Sequence, residues 1–468
     1  ASLPTRFDRA AAHTPAPAAR AVVGLALFAG VVVVGAPMGA ALSAALLALG
    51  AVAARVRRPP RLPVADLRAR VEPPGPDRWT RVWWALAAAL ALVPVLRAAT
   101  WVVVPALLAA VTIGSLAATG GRRWAQLGAG LGAIWARLPH GAALTARAAT
   151  RDVAWRGAGP AARGVALAAV LLAVFVPLLA TADAAFAQLL DDVTPSDLSV
   201  DLPLARALAA ALALAGGGAL IYARLCPPQP GAPRPPRLAL GRLEWAVPLA
   251  ALVALFAAFV ALQLATLFGG RRHVIETAGL TYAEYARSGF AQLLAVAALT
   301  LAVVAAARRW ARDDGKLLKA LLSALCVLTL VVLASAIKRL HLYEEAFGFT
   351  RLRLAADAAL LYLGALFALI LAVRGARLPR AVVATTAGAV LIFALSDPER
   401  RIAAHNVERF ERTGKLDAAY LRSLGPDAAP ALPACLRATV EADGLAGFNL
   451  ARAAARNRGV CAARMIGS

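Results

Sequence analysis

Long runs of apolar residues alternate along this chain with short segments rich in arginine and proline. A run of about 17 to 25 apolar residues is long enough to cross the hydrocarbon layer of a membrane as a helix. Eleven such runs occur, at about 20–36, 38–54, 82–98, 101–118, 164–182, 203–223, 245–268, 289–307, 317–337, 355–373 and 380–396. The pattern predicts an all-α fold, a polytopic transmembrane helix bundle of about eleven spans.

The composition agrees with a protein that lies in a membrane. The 468 residues are 60% hydrophobic and 16% charged, whereas soluble domains have about 25% charged residues. The formal charge of +24 would suit a nucleic-acid partner if the basic residues were clustered, but they are spread between the spans. We therefore expect membrane lipids as partners and no nucleic acid.

The basic residues also predict an orientation. With the N-terminus inside, thirty of the fifty basic residues fall in inner segments, nine fall in outer loops and the remaining eleven in the C-terminal tail. Because arginine and lysine accumulate on the cytoplasmic side, the chain is expected to run N-in and C-out. The first run could instead be a signal peptide, but a second apolar run follows after "APMGA", which favours a helical hairpin.

Two regions follow from this topology: a bundle with Pro/Arg-rich inner loops at 1–396, and a helical extracytoplasmic tail at 397–468. In the tail, Ser396 resembles an N-cap, Pro398 suits a first turn and Gly414 suits a helix end. They predict a helix over about 397–413, and a shorter helix follows over about 417–424. Cys435 and Cys461 both fall outside, where a disulfide is permitted, so we predict that they pair.

Four motifs carry a resemblance to a known family: "TADAAFA", "GLTYAEYARSGF", "LYEEAFGFTRLRL" and "NVERFERTGKLDAAYLRSLGPDAAPAL". Together they resemble the bacterial multi-pass membrane family known as domain of unknown function 4173, over roughly residues 160–435. The resemblance implies a place in the bacterial inner membrane and the cell envelope, and it assigns no reaction.

Polar residues on the outer side are the candidate ligand-binding set. Thr281 and Glu284 fit a capping box that starts the eighth helix. Glu344 and Glu345 lie at the outward end of the ninth helix, where the helix dipole disfavours negative charge, so arginines across the turn or a bound ligand should compensate them. The full candidate set is His273, Glu276, Arg287, Glu344, Glu345, Arg351 and Arg353.

A second pattern suggests a metal. Each histidine expected outside is followed three residues later by glutamate, so that the two share a helix face, and imidazole with carboxylate is a ligand set for zinc or another divalent ion. The set is His273, Glu276, His341, Glu344, His405 and Glu408. Ordinary surface pairs explain the same pattern, so we expect no cofactor unless the loops and the tail helix bring these residues together.

Three functions remain open, and whether the protein is an enzyme is undecided. The first is a non-enzymatic scaffold or sensor whose outer face binds an envelope protein or a lipid-linked partner. The second is the binding or modification of a lipid or envelope precursor in the outer leaflet. The third is a transporter or flippase for an amphipathic substrate, although the span centres lack the ionisable residues that ion-coupled transporters use.

Overall fold

A computed structural model describes residues 6–34, 36–56, 78–149, 201–228, 240–268, 290–311, 315–373, 375–433, 436 and 444–456. Every regular element in these ranges is helical, and the chain packs as two units. The first unit contains nine helices in its described residues up to 230: α1 (Arg6–His13), α2 (Ala16–Phe28), α3 (Ala40–Arg55), α4 (Arg78–Ala91), α5 (Val93–Leu96), α6 (Thr100–Thr119), α7 (Trp124–Leu131), α8 (Ala133–Ala149) and α9 (Asp201–Leu225).

The second unit follows in the chain. Its described helices are α10 (Arg242–Phe268), α11 (Phe290–Trp310), α12 (Lys316–Phe347), α13 (Arg351–Ala372), α14 (Leu378–Leu395), α15 (Pro398–Thr413) and α16 (Ala418–Arg422). A last helix, α17 (Leu450–Ala455), belongs to the first unit, where Asn449 Nδ2 donates to Pro94 O at 2.6 Å. The predicted domain boundary at 396 differs from this division and stays a prediction.

Nine helical segments in the described ranges are long and apolar enough to cross a membrane. Seven of them correspond to α6 and to α9 to α14, and the other two are continuous stretches: Ala16–Val33, in which α2 runs on into a π-helical turn at Ala29–Val33, and Arg78–Leu96, which contains α4 and α5. The apolar run at 38–54 forms the 16-residue helix α3, which is shorter than a full span, and the run at 164–182 lies outside the described residues. The prediction of an all-helical, multi-span chain is confirmed, whereas the count of eleven and the orientation remain predictions.

Small residues allow α8 and α9 to pack at very close range. A Cβ atom on Gly141 would overlap the backbone oxygen of Ala215, and one on Gly218 would overlap the backbone oxygen of Gly141. Close approach of this kind increases van der Waals contact between membrane helices, for which burial of apolar surface supplies little driving force. The glycines therefore determine how these two helices meet.

Arginines bind the carbonyl ends of several helices. Arg224 donates to Val56 O at 2.7 Å and to Ala54 O at 3.0 Å, at the end of α3. Arg137 donates to Cys226 O at 3.0 Å, just beyond the end of α9. A helix end leaves carbonyl groups without intrahelical partners and carries partial negative charge, which a cation offsets. Part of the basic excess is thus used inside the fold.

The junction between the last span and the tail differs in detail from the prediction. Ser396 ends α14, and its hydroxyl donates to Phe393 O at 2.8 Å instead of capping the next helix. Asp397 takes the N-cap position of α15 with φ +55°, a left-handed conformation that aspartate tolerates better than most residues. Pro398 at the first turn and Gly414 after the last are as predicted, so the Ser396 cap is wrong and the helix limits are right.

Candidate functional site

A polar pocket of about 420 Å³ lies in the second unit where the end of α12 and the start of α13 meet the tail helix α15. We call it the tail pocket. Its size falls within the range of about 300–1,000 Å³ that is typical of ligand pockets. The side chains around it are His341, Glu344, Glu345, Phe349, Leu354, Asp357, Arg401, His405, Glu408, Arg409 and Arg412.

Two polar side chains of α15 fasten it to the end of α12. Asn406 pairs with the backbone of Phe349 in both directions, since its Nδ2 donates to Phe349 O at 2.8 Å and its Oδ1 accepts from Phe349 N at 3.1 Å. Arg409 donates to Ala346 O at 2.7 Å and to Glu345 O at 3.4 Å. Arg409 thereby supplies the positive charge that the end of α12 requires.

An ion pair reinforces the same junction from α13. Arg351 donates through Nε and Nη2 to Glu399 Oε1 at 2.9 and 2.5 Å, and Glu399 is 1% exposed. The other carboxylate oxygen of Glu399 accepts from Gly425 N at 2.8 Å, and Tyr420 Oη accepts from Arg351 N at 2.8 Å. These bonds hold α13, α15 and the segment after α16 together, so they position one wall of the tail pocket.

Carboxylates form the buried part of the pocket. Glu344 is 1% exposed, and its Oε1 has no hydrogen-bond partner. The Asp357 side chain is 14% exposed, its Oδ1 also lacks a hydrogen bond, and this oxygen lies 3.6 Å from His341 Nε2. A buried carboxylate oxygen without a donor is costly and rare in proteins.

His405 lines the same pocket from the tail helix. Its ring stacks at a tilt on Phe349, with 4.5 Å between ring centroids. Its Nδ1 lies 2.8 Å from Arg401 O, and because a carbonyl oxygen only accepts, Nδ1 carries the proton.

The structure brings together part of the predicted ligand set. Glu344 and Glu345 line the tail pocket, as do His341, His405 and Glu408 from the predicted metal set. Arg351 and Arg353 do not line it: Arg351 pairs with Glu399, and Arg353 donates to Gly348 O and lies 4.1 Å from the centroid of the Tyr343 ring. The predicted members at 269–289 and the predicted disulfide lie outside the described residues; these are His273, Glu276, Arg287, Cys435 and Cys461, together with the capping box of Thr281 and Glu284.

The convergence expected for a metal site is thus partly present. His341, Glu344, His405 and Glu408 surround one pocket. Within the ranges that the structure describes, however, no three histidine, cysteine or carboxylate side chains are close enough to hold an ion together. The metal assignment therefore stays a prediction, and two of its six residues are not described.

The sequence pattern missed several residues of the pocket. Asp357 lies in the first turns of a predicted span, and an ionisable residue at that place is itself a signal of a polar site. Arg401, Arg409 and Arg412 follow one another at the spacing of a single helix face, so the amphipathic tail helix carried a second signal. The contacts of Glu399 and Asn406 left no signal in the sequence, because their partners are distant in the chain.

A larger cavity, about 600 Å³, lies in the first unit. The residues described around it are alanine, valine, leucine, isoleucine, glycine and tryptophan, including Trp84, Trp135 and Leu212. Such a lining can accommodate apolar chains, but the residues described there include no charged, hydroxyl or amide side chain that would orient a ligand. The tail pocket is accordingly the better candidate site.

Helices of spanning length joined to a polar pocket define a helical membrane protein with a candidate ligand site in its second unit. A family model for a domain of unknown function, DUF4153, matches residues 84–434, so the chain belongs to that family. The resemblance to domain 4173 named a different family of unknown function. No curated protein matches the chain. No solved structure matches it either.

Proposed function

We propose that this protein is a non-enzymatic, sensor-type membrane protein that binds a polar ligand in the tail pocket. The observation that carries the proposal is Glu344, which is 1% exposed at the pocket and has a carboxylate oxygen without a hydrogen-bond donor. Leaving a buried polar group without a hydrogen-bond partner costs about 1–3 kcal/mol of folding free energy, and the cost is larger when the group is charged. A ligand that donates a hydrogen bond to this oxygen removes that cost, so binding of a hydrogen-bond donor in the pocket is favourable.

The placement of the pocket supports a role in sensing. Three elements line it, namely the end of α12, the start of α13 and the tail helix α15. A ligand held among them adds contacts between the tail and a membrane helix, and binding to one arrangement shifts the population towards that arrangement. Occupancy is therefore expected to stabilise the tail against the second unit.

Hydrogen exchange of the full chain in nanodiscs tests the proposal. We expect polar-lipid extract or water-soluble extract of bacterial cells to slow exchange in 398–413, and Glu344→Gln to remove that protection. Glu411→Gln is the matched control, because Glu411 is exposed on the same helix and is not among the residues described around the pocket. If neither extract protects the tail helix of the wild-type protein, the proposal is wrong.

The lipid-binding alternative also has a specific observation in its favour. The apolar run of α12 ends at Ile337, and Glu344 follows it by two helical turns. At 1.5 Å per residue this separation is about 10 Å. Head groups add roughly 5–7 Å on each side of the hydrocarbon layer. His341 of the pocket, about 6 Å beyond Ile337, would therefore lie within the head-group layer, and Glu344 a few ångströms outside it. We do not propose transport, because the side chains described around the larger cavity are apolar.

We further propose that the protein lies in the bacterial inner membrane with its tail outside and its N-terminus inside. The distribution of basic residues supports this orientation. Cysteines at exposed positions test it: we expect Lys415→Cys in intact cells to react with a membrane-impermeant maleimide, and Arg308→Cys to react only after permeabilisation. The reverse labelling would show an inverted topology.

Mass spectrometry without reductant, on protein from the same cells, tests the proposed disulfide between Cys435 and Cys461.

A further inference from the structure

We propose that the tail pocket recognises an aminoalkyl phosphate, a primary ammonium followed by a phosphate, as in the head group of phosphatidylethanolamine. The inference rests on the proposed ligand-binding function and names its ligand class. It is carried by the charges around the pocket, where the buried Glu344 and the largely buried Asp357 share the lining with three arginines of α15.

The buried end of the pocket selects a hydrogen-bonding cation. Glu344 Oε1 and Asp357 Oδ1 both lack hydrogen-bond donors, and both carboxylates are largely removed from water. A primary ammonium has three N–H groups and can donate to both oxygens at once. A quaternary ammonium, as in phosphatidylcholine, has the same charge but no N–H donor, so it would leave these oxygens unsatisfied.

The exposed end of the pocket selects a phosphate. Arg401, Arg409 and Arg412 line one side of the pocket from α15, and their guanidinium groups match the geometry of phosphate oxygens. Arg409 is already bonded to the end of α12, so Arg401 and Arg412 are the donors that we assign to the ligand. His405 lies on the same wall of the pocket.

The balance of charge favours a zwitterion over a simple ion. Glu345 and Glu408 also lie on the exposed side, and they offset much of the arginine charge there. An anionic lipid such as phosphatidylglycerol would place no donor of positive charge against Glu344 and Asp357. A simple cation would leave the arginines unused. A molecule with an ammonium group at one end and a phosphate at the other can pair with the carboxylates and with the arginines at the same time.

The depth of the pocket points to a lipid as the source of this head group. His341 of the pocket lies about 6 Å beyond the apolar run of α12, within the head-group layer, and Glu344 about 10 Å beyond it. Asp357 lies in the first two turns of α13, whose remainder is apolar. Leu354, which is 3% exposed, lines the pocket between the polar groups. Free phosphoethanolamine has the same polar atoms, so the experiment must separate the two sources.

Lipid retention by the full chain tests the assignment. The wild-type protein is reconstituted in nanodiscs of equal parts phosphatidylethanolamine, phosphatidylcholine and phosphatidylglycerol with matched acyl chains, and the retained lipid is measured by native mass spectrometry. We expect phosphatidylethanolamine to be enriched at least about tenfold over phosphatidylcholine, the ratio that corresponds to one charge-assisted hydrogen bond. Equal retention of the two lipids would overturn the proposal.

Paired variants test each end of the pocket. We expect Glu344→Gln to abolish the enrichment and Glu411→Gln to leave it intact. At the phosphate end, Arg401→Gln should lower retention several-fold while its exposed neighbour Arg400→Gln has no effect. Enrichment that persists in both Glu344→Gln and Arg401→Gln would overturn the assignment of this pocket.

A measurement on the wild-type protein alone keeps the test valid if a variant fails to fold. We expect phosphatidylethanolamine vesicles, and not phosphatidylcholine vesicles, to slow hydrogen exchange in 398–413. If free phosphoethanolamine slows exchange in this segment equally well, the assignment to an aminoalkyl phosphate holds, and the ligand is a soluble molecule rather than a lipid. If neither form protects but a cell extract does, the head-group assignment fails while the proposed function survives; if nothing protects, both fail.

Discussion

Arg351 and Glu399 form an ion pair between the first residue of α13 and the first turn of the tail helix, with Nη2 and Oε1 2.5 Å apart. Glu399 is buried, whereas the Arg351 side chain is 38% exposed. The pair lies beside the hydrogen bond from Gly425 N to Glu399 Oε2. One carboxylate thus joins a membrane helix, the tail helix and the segment that follows α16.

Removal of the Glu399 charge should loosen the tail. We expect Glu399→Gln to lower the free energy of unfolding by about 2 kcal/mol, less than the 3–5 kcal/mol for a fully buried pair because Arg351 remains accessible to water. Glu411→Gln, exposed on the same helix, should change stability by no more than about 0.5 kcal/mol. Thermal unfolding in detergent micelles measures both, and equal effects would show that the ion pair contributes nothing.

Glu344 should behave in the opposite way, because the protein without ligand leaves one of its oxygens unpaired. We expect Glu344→Gln to raise the free energy of unfolding by about 1 kcal/mol in the absence of added lipid, since a buried amide costs less than a buried unpaired charge. The same thermal unfolding measurement checks this expectation. A loss of stability would indicate that the carboxylate has a structural role rather than a binding role.

Because α8 and α9 approach each other closely, alanine substitutions at two neighbouring glycines of α9 should have different effects on stability. A Cβ atom on Gly218 would overlap α8, whereas one on Gly216 has no atom within 4 Å. We expect Gly218→Ala to destabilise the protein by about 1–3 kcal/mol through overpacking, and Gly216→Ala to be neutral or to stabilise it by up to about 1 kcal/mol. Unfolding by sodium dodecyl sulfate compares them, and the two variants should not coincide.

Tyr420 predicts a pH dependence of the tail junction. Burial raises the pKa of Tyr420 above its ordinary value of 10.0, although the hydrogen bond from Arg351 N and the Arg351 charge oppose the shift. A raised pKa means that folding favours the protonated phenol, so its contribution is complete below about pH 10 and falls as the pH rises through the folded-state pKa. We expect the stability difference between wild type and Tyr420→Phe to stay constant below about pH 10 and to shrink as the pH rises above that value. Parallel pH profiles would contradict this.

Local chemistry made much of the helical architecture predictable. Hydropathy located the spans because a helix satisfies its own backbone groups wherever an apolar run is long enough. Pro398 and Gly414 gave the limits of α15 since their backbone preferences act within a single turn. The Ser396 cap failed for a related reason: the preceding helix used that hydroxyl first, and Asp397 adopted the left-handed conformation instead.

The sequence by itself determined that the chain is helical, rich in apolar spans and polar at the C-terminal end of α12, because length, hydropathy and capping are properties of neighbouring residues. It also indicated Glu344, a negative charge at a helix end that either the arginines across the turn or a bound ligand should compensate. Only the tertiary structure decided that Arg351 pairs with Glu399, that Arg409 binds the end of α12, and that Asp357 and Arg401 share a pocket with Glu344. Those partners are far apart in the chain, and their meeting depends on helix packing that no local pattern encodes.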